Sequence, residues 1–529
     1  MSTPDWIIII LYFAGMISMS VYLGRGQSNQ DDYYVGGRNL PWWAVGISTM
    51  ATQTSAISFI SIPAFVALKP GGGISWLQSE LAVPLAIIAI SVLLLPFFRK
   101  LELISVYEYL ELRFGSSIRY LISGVFLFSR SLGSAVALYA SAIILTVVLD
   151  IPMWMTILLM GVVTIIYDTI GGMKAVVYSD VIQIFILVLG IVLCIGFATH
   201  TAGGINAVLE ALPPERWRTI NPSVGLGDGS QTPFWGFLIG GLFLYMSYYG
   251  VDQSQVQREL SAATLDDTKK SLFLNGFVRF PLTLLYMMLG LALGAAYVAS
   301  SELQAEVPLK LMDFLVPVFI LEYLPWGVRG ILVAALLAAA MSSLDSALNS
   351  LSASTMRDFV EKKRDLSVKQ TLLLSKVVTV IWGIIITGFA FLVGNISETI
   401  LESINKIGSA FYGPILAAFL VGLLSKRGTT AGIFAGVLAG VSFNLYLWIY
   451  CPEIFWMWWN LFGLLVAVIV TFLISLVTRA PTLDRAKTYT LAGSGFFKQE
   501  QLWSRGHVLL LGYFFVILAF MLLVNHFVT

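Results

Sequence analysis

Hydroxyl and carboxyl side chains interrupt the middle of a long apolar segment between Leu332 and Ser354. Four positions recur at helical spacing and therefore share one helix face: Ala339, Ser342, Ser343 and Ser346. Asp345 lies among them, and a carboxylate inside hydrocarbon costs roughly 2.5–3.5 kcal/mol even on a lenient insertion scale, so it needs a partner. Oxygen ligands of this kind suit a small, hard cation. The segment therefore predicts a cation site on a membrane helix and, with it, ion-coupled transport.

The composition of the whole chain indicates an integral membrane protein. Its 529 residues are 58% hydrophobic and 12% charged, and the mean hydropathy is +0.85, which lies outside the range of soluble domains. Apolar runs of about 20 residues, the length that crosses a bilayer as a helix, recur from end to end. The first run lacks a basic start and a small-residue cleavage site, so we expect a retained helix. We predict about fourteen transmembrane helices, centred on residues 6–23, 41–68, 76–98, 120–149, 153–170, 175–198, 234–257, 271–299, 327–355, 371–393, 404–424, 430–450, 455–478 and 507–526.

The distribution of basic residues predicts the orientation in the membrane. With the N-terminus outside, the inner side holds 23 of the 31 lysines and arginines, and the outer side holds six. Basic residues concentrate in the inner loops of membrane proteins. We therefore expect a multi-pass plasma-membrane protein with both termini outside.

Several kinds of function lack the residues that they need. Two cysteines and three histidines, in or near the ends of membrane segments, offer neither a thiol site nor a histidine centre for metal binding or acid–base catalysis. The sequence has no GxxxxGK[ST] loop and hence no sign of ATP as the energy source. A net charge of +1 argues against a nucleic-acid partner. We expect a protein that is not an enzyme, with a lipid bilayer, a sodium ion and a small-molecule solute as its partners.

Two of the predicted helices carry polar interruptions. Residues 41–68 contain a run of hydroxyl and amide side chains followed by Pro63, and residues 234–257 contain Gly240–Gly241 followed by tyrosines and Asp252. Interrupted helices at corresponding places in two halves of a chain are typical of transporters with inverted repeats, which bind substrate and ions at the breaks. The structural alternative is that these hydroxyls only bond back to their own helices.

Four segments resemble, in order along the chain, motifs of the sodium:solute symporter family: YEYLELRFG at 107–115, GGMKAVVYSDVIQ at 171–183, SSLDSALNS at 342–350 and AFYGPILAAFLVGLLSKRG at 410–428. The resemblance implies an all-α polytopic membrane protein whose LeuT-type core is a five-plus-five inverted repeat. It implies a single transporter domain, 1–529. Within this domain it places an extra N-terminal helix at 6–23, the ten-helix core at 41–424 and three C-terminal helices at 430–526.

The resemblance also implies sodium sites. Carried over motif by motif, the main Na⁺ site comprises Ala51, Thr54, Ala339, Ser342 and Ser343. A possible second Na⁺ site, found in some members, comprises Asp180, Ser342, Asp345 and Ser346. Asp345 departs from the serine or threonine that those members often carry, and two carboxylates near one site repel each other unless a cation lies between them. The alternative is that Asp345 pairs with a basic residue or with water.

Solute contacts follow from the same resemblance. Compared with members that bind sugars, the corresponding residues are Gln53, Ser58, Glu80, Tyr245, Tyr248, Arg279 and Asn405, with Tyr249 beside the other tyrosines. Ser58 and Arg279 depart from the glutamine and lysine of some sugar carriers, which weakens the case for a sugar. Arg130 favours an anion, because a guanidinium binds a carboxylate through two hydrogen bonds and sialic-acid carriers of the family use an arginine in that helix. Arg130 is equally compatible with a structural ion pair, for example with Glu80.

Together these features predict Na⁺-coupled symport of a small polar organic solute, a sugar or polyol or a carboxylate, into the cell by alternating access. A transporter-like nutrient sensor that binds solute and Na⁺ with little flux is the alternative. A channel would need a polar lining along a whole span, whereas the polar residues here cluster near the middle of the membrane. Saturable Na⁺-dependent uptake separates a symporter from a channel, and Na⁺-dependent binding without uptake favours the sensor.

Overall fold

The computed structural model describes residues 1–223, 225–228, 232–363, 366–393, 400–478, 483–494 and 503–528. Within these ranges the chain is all-α and forms no strand. The helices up to the second break are α1 (Thr3–Gly24), α2 (Gln30–Val35), α3 (Trp42–Gln53), α4 (Ala56–Leu68), α5 (Ala82–Leu93), α6 (Leu95–Lys100), α7 (Glu108–Phe114), α8 (Ser116–Leu149), α9 (Met153–Thr201), α10 (Ile205–Ala211), α11 (Gly241–Val251) and α12 (Gln253–Glu259).

The remaining helices complete the core and add a C-terminal group. They are α13 (Leu265–Ala299), α14 (Ser301–Glu306), α15 (Leu315–Tyr323), α16 (Val328–Thr355), α17 (Val368–Ala390), α18 (Ile400–Leu424), α19 (Thr430–Tyr450), α20 (Trp459–Val477), α21 (Leu483–Thr488) and α22 (Arg505–Val528). A 3₁₀ segment, Ile74–Leu81, leads into α5, and another, Leu309–Phe314, leads into α15.

Among the described residues, eleven helices are long and apolar enough to cross a membrane, or twelve if the bent pair α3–α4 is one span. Two shorter apolar helices, Met153–Ile166 and Gly236–Val251, lie where the sequence predicts its fifth and seventh spans. The first of them belongs to α9, which breaks at Gly172 with a φ of +59°. Glycine adopts this left-handed conformation without the steric cost that a Cβ brings. The break separates the predicted spans at 153–170 and 175–198.

Both predicted interruptions are present as breaks between consecutive helices. The axes of α3 and α4 differ by 52°, and the chain leaves helical geometry at Thr54 and Ser55. Between α11 and α12 the break falls on Asp252, whose backbone is extended and whose side chain accepts a hydrogen bond from the amide of Ser254. Each break frees backbone groups that an unbroken helix would bond internally, so both expose polar atoms inside the protein.

Helix α16 is held firmly inside the molecule. In its most apolar stretch 94% of the residues are buried, and its alanines and serines allow close approach to α8 and α9. At its start, Asp5 Oδ1 accepts hydrogen bonds from the amides of Gly327 and Gly330 at 2.7 and 3.0 Å. Just beyond its end, Asp358 Oδ1 accepts from Arg119 Nε at 2.6 Å. These contacts fix both ends of the helix that carries the hydroxyl face.

Candidate ion and solute site

Oxygen atoms from the α3–α4 break and from α16 lie close together in the protein interior. Ser342 Oγ is 3.4 Å from the carbonyl oxygen of Ala51 and 3.2 Å from that of Ala339. Ser343 Oγ is 3.3 Å from the carbonyl oxygen of Thr52. These separations exceed the roughly 2.7–2.8 Å typical of a hydroxyl hydrogen bond, so the two hydroxyls bond only weakly to the carbonyls and are available as cation ligands. This oxygen cluster fits Na⁺, since it contains hard, neutral ligands from two helices.

The structure places four of the five predicted main-site residues in this oxygen cluster. For Thr54, the described contacts are its amide bonds to Met50 and Ala51 and its hydroxyl bond to Met50 at 2.8 Å, which close the last turn of α3. The carbonyl that faces Ser343 belongs to Thr52, which the sequence analysis did not select. Thr52 lies two residues earlier in the same polar run, but only the position of the break decides which carbonyl is freed.

The residues of the possible second sodium site surround an arginine. Asp180 Oδ2 accepts a hydrogen bond from Ser48 Oγ at 2.5 Å and lies 3.4 Å from Arg258 Nη2. The Arg258 guanidinium also donates to Ser48 and to Ser346 Oγ. Asp345 Oδ1 accepts only from the amide of Ser346, and its Oδ2 has no hydrogen-bond partner in the described part of the chain. Arg258 therefore pairs with Asp180, and Asp345 forms no ion pair with any residue that the structure describes.

A cavity of about 170 Å³ adjoins the oxygen cluster. Thr52 and Ser343 belong to both, so a cation and a solute bound there would be neighbours. All eight predicted solute contacts line this cavity: Gln53, Ser58, Glu80, Arg130, Tyr245, Tyr248, Arg279 and Asn405. Tyr249 does not line it but donates a hydrogen bond to Gln53 Oε1 at 2.6 Å. The sequence resemblance thus led to residues that converge on one space from six α-helices and the 3₁₀ segment before α5.

Glu80 and Arg279 form a closed ion pair in the cavity wall. Arg279 Nε donates to Glu80 Oε2 at 2.9 Å, and its guanidinium lies over the ring of Tyr245, 5.3 Å from the ring centre. Glu80 is buried, so the arginine compensates a carboxylate that would be costly alone. The suggested structural pair of Arg130 with Glu80 is not formed, because Glu80 is taken by Arg279.

Arg130 has a looser partner. Its Nη1 lies 4.0 Å from Asp252 Oδ2, which is too long for a hydrogen bond, and its Nε has no partner among the described residues. The guanidinium lies beside the hydroxyls of Tyr248 and Tyr412. Asp252 was visible in the sequence as part of the second interruption, but no spacing rule connected it with Arg130, which lies on a different helix.

A group of polar contacts connects α4, α18 and the segment Leu309–Phe314, next in sequence to the cavity-lining residues Ile62 and Leu401. Asp313 accepts hydrogen bonds from Ser61 Oγ at 2.5 Å and from the amide of Ile400 at 3.2 Å. Lys69 Nζ lies 2.6 Å from Glu402 Oε2. We call these five residues the clasp. Burial raises the pKa of Asp313 to about 6, although the bonds from Ser61 and Ile400 act to lower it.

Broken helices, an oxygen cluster between one of them and α16, and an adjoining cavity with charged walls define a secondary transporter that couples a cation to a solute. The sequence matches the model of the sodium:solute symporter family over residues 33–440, and the chain belongs to that family. The resemblance inferred from the motifs is confirmed. Na⁺ is the coupling ion, and the family and its structural neighbour are transporters and not enzymes.

Three comparisons describe the relationship. The sodium/sialic acid symporter NanT of Aliivibrio fischeri is 29% identical over 489 residues, which cover 89% of this chain and 92% of that protein. The human sodium-coupled monocarboxylate transporter 1 is 31% identical over 450 residues, which cover 82% and 72%. A solved Na⁺-coupled sialic acid symporter in a substrate-bound, outward-open state has a TM-score of 0.78 at 26% identity, covering 91% of this chain and 99% of that one. This match shows that the chain has the LeuT-like fold.

Proposed function

We propose that this protein is a plasma-membrane symporter that uses Na⁺ to take up a small organic carboxylate by alternating access. The observation that carries the proposal is Arg130, a guanidinium in the cavity wall that forms no hydrogen bond with a carboxylate of the described residues. A guanidinium in that position can hold a carboxylate through two parallel bonds. Two relatives support this class of solute, since sialic acid and monocarboxylates both carry a carboxyl group. The sugar or polyol alternative is weaker, because Glu80 is already paired with Arg279.

The size of the cavity favours a small acid. Its volume of about 170 Å³ lies below the roughly 300–1,000 Å³ of pockets that enclose drug-sized ligands. A monocarboxylate of a few carbons fits such a space more readily than a nine-carbon sugar acid. We therefore expect short monocarboxylates to bind more tightly than sialic acid.

The proposed coupling runs through the residues shared by the ion and solute sites. A bound Na⁺ would join the broken helix to α16 and fix the wall of the cavity beside Ser343. Its proposed ligands are the predicted main-site residues and Thr52: Ala51, Thr52, Thr54, Ala339, Ser342 and Ser343. A solute that prefers this ordered wall binds more tightly when Na⁺ is present. The affinity for Na⁺ must then increase by the same factor when the solute is bound. Couplings of this kind are typically about 1–3 kcal/mol.

We further infer a second Na⁺ near Asp180, Ser342, Asp345 and Ser346. Three buried carboxylates, those of Asp168, Asp180 and Asp345, lie within electrostatic range of Arg258, whose single positive charge pairs with Asp180. Within the described part of the chain Asp345 has no cation of its own, and an uncompensated charge inside a membrane protein is costly. A second Na⁺ would supply the missing charge and add about 2.3 kcal/mol of driving force per 100 mV if it crosses the whole field.

Asp345→Asn is expected to lower the Hill coefficient for Na⁺ from about 2 toward 1, because the coefficient cannot exceed the number of coupled sites. The charge moved per solute should fall in parallel. Both quantities can be measured in proteoliposomes from Na⁺-dependent uptake and from the current that accompanies it. Ser350→Ala is a matched control on the same helix, since among the described residues its hydroxyl bonds to the carbonyl of its own helix neighbour Ala347. If the Hill coefficient and the charge moved per solute stay at the wild-type values, the proposed second Na⁺ is wrong.

The finer architecture is also part of the proposal. We infer that the two short apolar helices complete a set of fourteen spans and that the ten-helix core, 41–424, is an inverted five-plus-five repeat. The helix at 6–23 precedes this core and the three helices at 430–526 follow it within one transporter domain, 1–529. With both termini outside, the clasp lies on the outer side of the solute cavity. Cysteine labelling of single positions in intact cells tests this topology.

The clasp predicts an effect of external pH on transport. Asp313 has a pKa of about 6 while the clasp is closed, and on opening to water it should return toward an ordinary value near 4. The closed form therefore binds the proton more tightly, so acid stabilises it and this stabilisation is lost as the pH rises through about 6. We expect uptake to be about tenfold slower at external pH 5 than at pH 7.5, and Asp313→Asn to remove most of this difference.

Two other charged residues face Asp313, Lys69 and Glu402, so Glu402→Gln is the control for this effect. Acid should still slow uptake in Glu402→Gln if Asp313 is the group that titrates. Acid inhibition of equal size in Asp313→Asn and in the wild-type protein contradicts the proposed role of the clasp.

Uptake by the purified protein in proteoliposomes tests the proposed function as a whole. The experiment compares labelled pyruvate, sialic acid and glucose under an inward Na⁺ gradient and under a K⁺ gradient of the same size. Saturable, Na⁺-dependent uptake of pyruvate supports the proposal. Uptake of glucose alone would show that the solute is a sugar and not a carboxylate. Na⁺-dependent binding of pyruvate without accumulation would favour the nutrient sensor.

A further inference from the structure

Asp252 has two carboxylate oxygens with different environments. Its Oδ1 accepts hydrogen bonds from the amide and the hydroxyl of Ser254, at 2.8 and 2.5 Å, and so caps the start of α12. Its Oδ2 faces Arg130 Nη1 across 4.0 Å. Both Asp252 and Arg130 line the solute cavity. Oδ1 therefore stabilises the start of α12, and Oδ2 places a negative charge opposite Arg130, the cation that we assign to solute binding.

The charged groups of the cavity fall into one tight and one loose pair. Its charged lining residues in the described chain are Glu80, Arg130, Asp252 and Arg279. Glu80 and Arg279 share a hydrogen bond at 2.9 Å, whereas Arg130 and Asp252 are 4.0 Å apart. A tight pair resists disruption, because separating its members leaves two buried charges. A loose pair can open to admit another anion, so a solute carboxylate enters at Arg130.

Arg130 also needs compensation when no solute is bound. A buried guanidinium without a counter-ion is costly inside a membrane protein, and Glu80 cannot serve because it is bonded to Arg279. The hydroxyls of Tyr248 and Tyr412 beside Arg130 are neutral. Asp252 is the carboxylate within reach. It lies close enough to stabilise the cation and too far to bond to it.

We propose that Asp252 is the internal counter-ion of Arg130. The carboxylate of the solute displaces Asp252 from Arg130 on binding, and Asp252 pairs with Arg130 again when the solute is released. This inference rests on the proposed function, because it assumes a carboxylate at Arg130. Asp252 repels the incoming anion. It therefore lowers the affinity for the solute and speeds its release. It also determines specificity, since a carboxylate that bonds to both arms of the guanidinium competes with Asp252 better than an anion that makes a single contact.

Asp252→Asn tests this role and keeps the helix cap, because asparagine is as good an N-cap as aspartate. The variant loses the negative charge that faces Arg130. We expect the Kd of pyruvate at saturating Na⁺ to fall by about tenfold, which equals about 1.4 kcal/mol, and the maximal rate of uptake to fall because release slows. Kd is measured by isothermal titration calorimetry on the purified full-length protein, and uptake is measured in proteoliposomes.

Ser254→Ala is the matched control, since it removes one bond to the cap oxygen of Asp252 and leaves the charge in place. Its Kd for pyruvate should stay within about twofold of the wild-type value. Asp252→Ser also removes the charge while preserving a favourable N-cap, and it replaces the asparagine variant if that variant does not fold. Thermal stabilisation by NaCl shows whether each variant is folded.

The outcomes separate this proposal from the function on which it rests. Tighter pyruvate binding in Asp252→Asn or Asp252→Ser, with slower uptake, supports the counter-ion. Unchanged or weaker binding overturns it, and weaker binding would place Asp252 among the groups that hold the solute directly. A wild-type protein that binds no carboxylate in the presence of Na⁺ overturns the proposed function itself and this inference with it.

Discussion

Ser343→Ala is expected to raise the Na⁺ concentration for half-maximal thermal stabilisation by roughly ten- to a hundredfold. Ser343 Oγ lies 3.3 Å from the carbonyl oxygen of Thr52 on the opposite side of the oxygen cluster. Alanine removes one of the few ligands that a bound Na⁺ can share between α16 and the broken helix. A hydrogen bond to a charged group contributes about 1.5–3 kcal/mol, and loss of an ion ligand should be of similar size. The same shift should appear in Na⁺-dependent uptake.

The measurement is a NaCl titration of the purified protein in detergent, against KCl and choline chloride at constant ionic strength. It requires no knowledge of the solute, because a ligand that binds only the folded state raises its stability in proportion to the logarithm of its concentration. Ser350→Ala, two turns further along α16, controls for the loss of a buried serine. Wild-type Na⁺ affinity in Ser343→Ala, or equal stabilisation by Na⁺ and K⁺ in the wild-type protein, would contradict the main site.

The helices that hold the site could be predicted because each depends on residues close together in the sequence. The hydroxyl face of α16 follows from helical spacing, and the break after α3 follows from a polar run that cannot remain an ordinary membrane span. Motif resemblance then brought in residues such as Asn405 from distant helices. All the predicted solute contacts line one cavity, which local pattern alone could not have shown.

The charged partners could not be predicted, because they depend on how helices cross. Arg258 lies 210 positions from Ser48 and 78 from Asp180, yet it contacts both. It follows directly after the predicted span at 234–257, and hydropathy therefore assigns it to the basic residues of the inner side. In the structure it is fully buried. Hydropathy predicts the ends of a span to within a few residues. An arginine at such an end can therefore be assigned to a loop although it is buried.

Three arginines in the interior differ in how firmly a carboxylate holds them. Arg279 is bonded to Glu80 at 2.9 Å, Arg258 lies 3.4 Å from Asp180 and also bonds to two serines, and Arg130 is 4.0 Å from Asp252. Arg279 and Arg258 therefore have hydrogen-bonded partners that hold them in place. Arg130 alone among these three combines a position in the cavity wall with a partner too distant for a hydrogen bond, so its replacement should have the largest effect on the solute.

Arg130→Gln is expected to raise the Kd of pyruvate by at least about thirtyfold, since removing one member of a buried charge pair costs about 2–5 kcal/mol. Arg130→Lys should also bind weakly, because an ammonium keeps the charge but lacks the planar fork that holds both carboxylate oxygens. Na⁺-dependent thermal stabilisation should remain, because Arg130 is not part of the oxygen cluster. Calorimetry at saturating Na⁺ measures the first effect, and the NaCl titration measures the second.

The double variant Arg130→Gln/Asp252→Asn distinguishes loss of a solute contact from loss of structure. Arg130→Gln leaves Asp252 as an unpaired carboxylate and should lower the thermal stability, whereas neutralising Asp252 as well should restore much of it. Pyruvate binding should stay weak in both, because neither variant has a guanidinium in the cavity wall. If binding recovers together with stability, Arg130 acts only as a structural partner of Asp252 and the solute carboxylate binds elsewhere. If stability recovers and binding does not, Arg130 holds the solute.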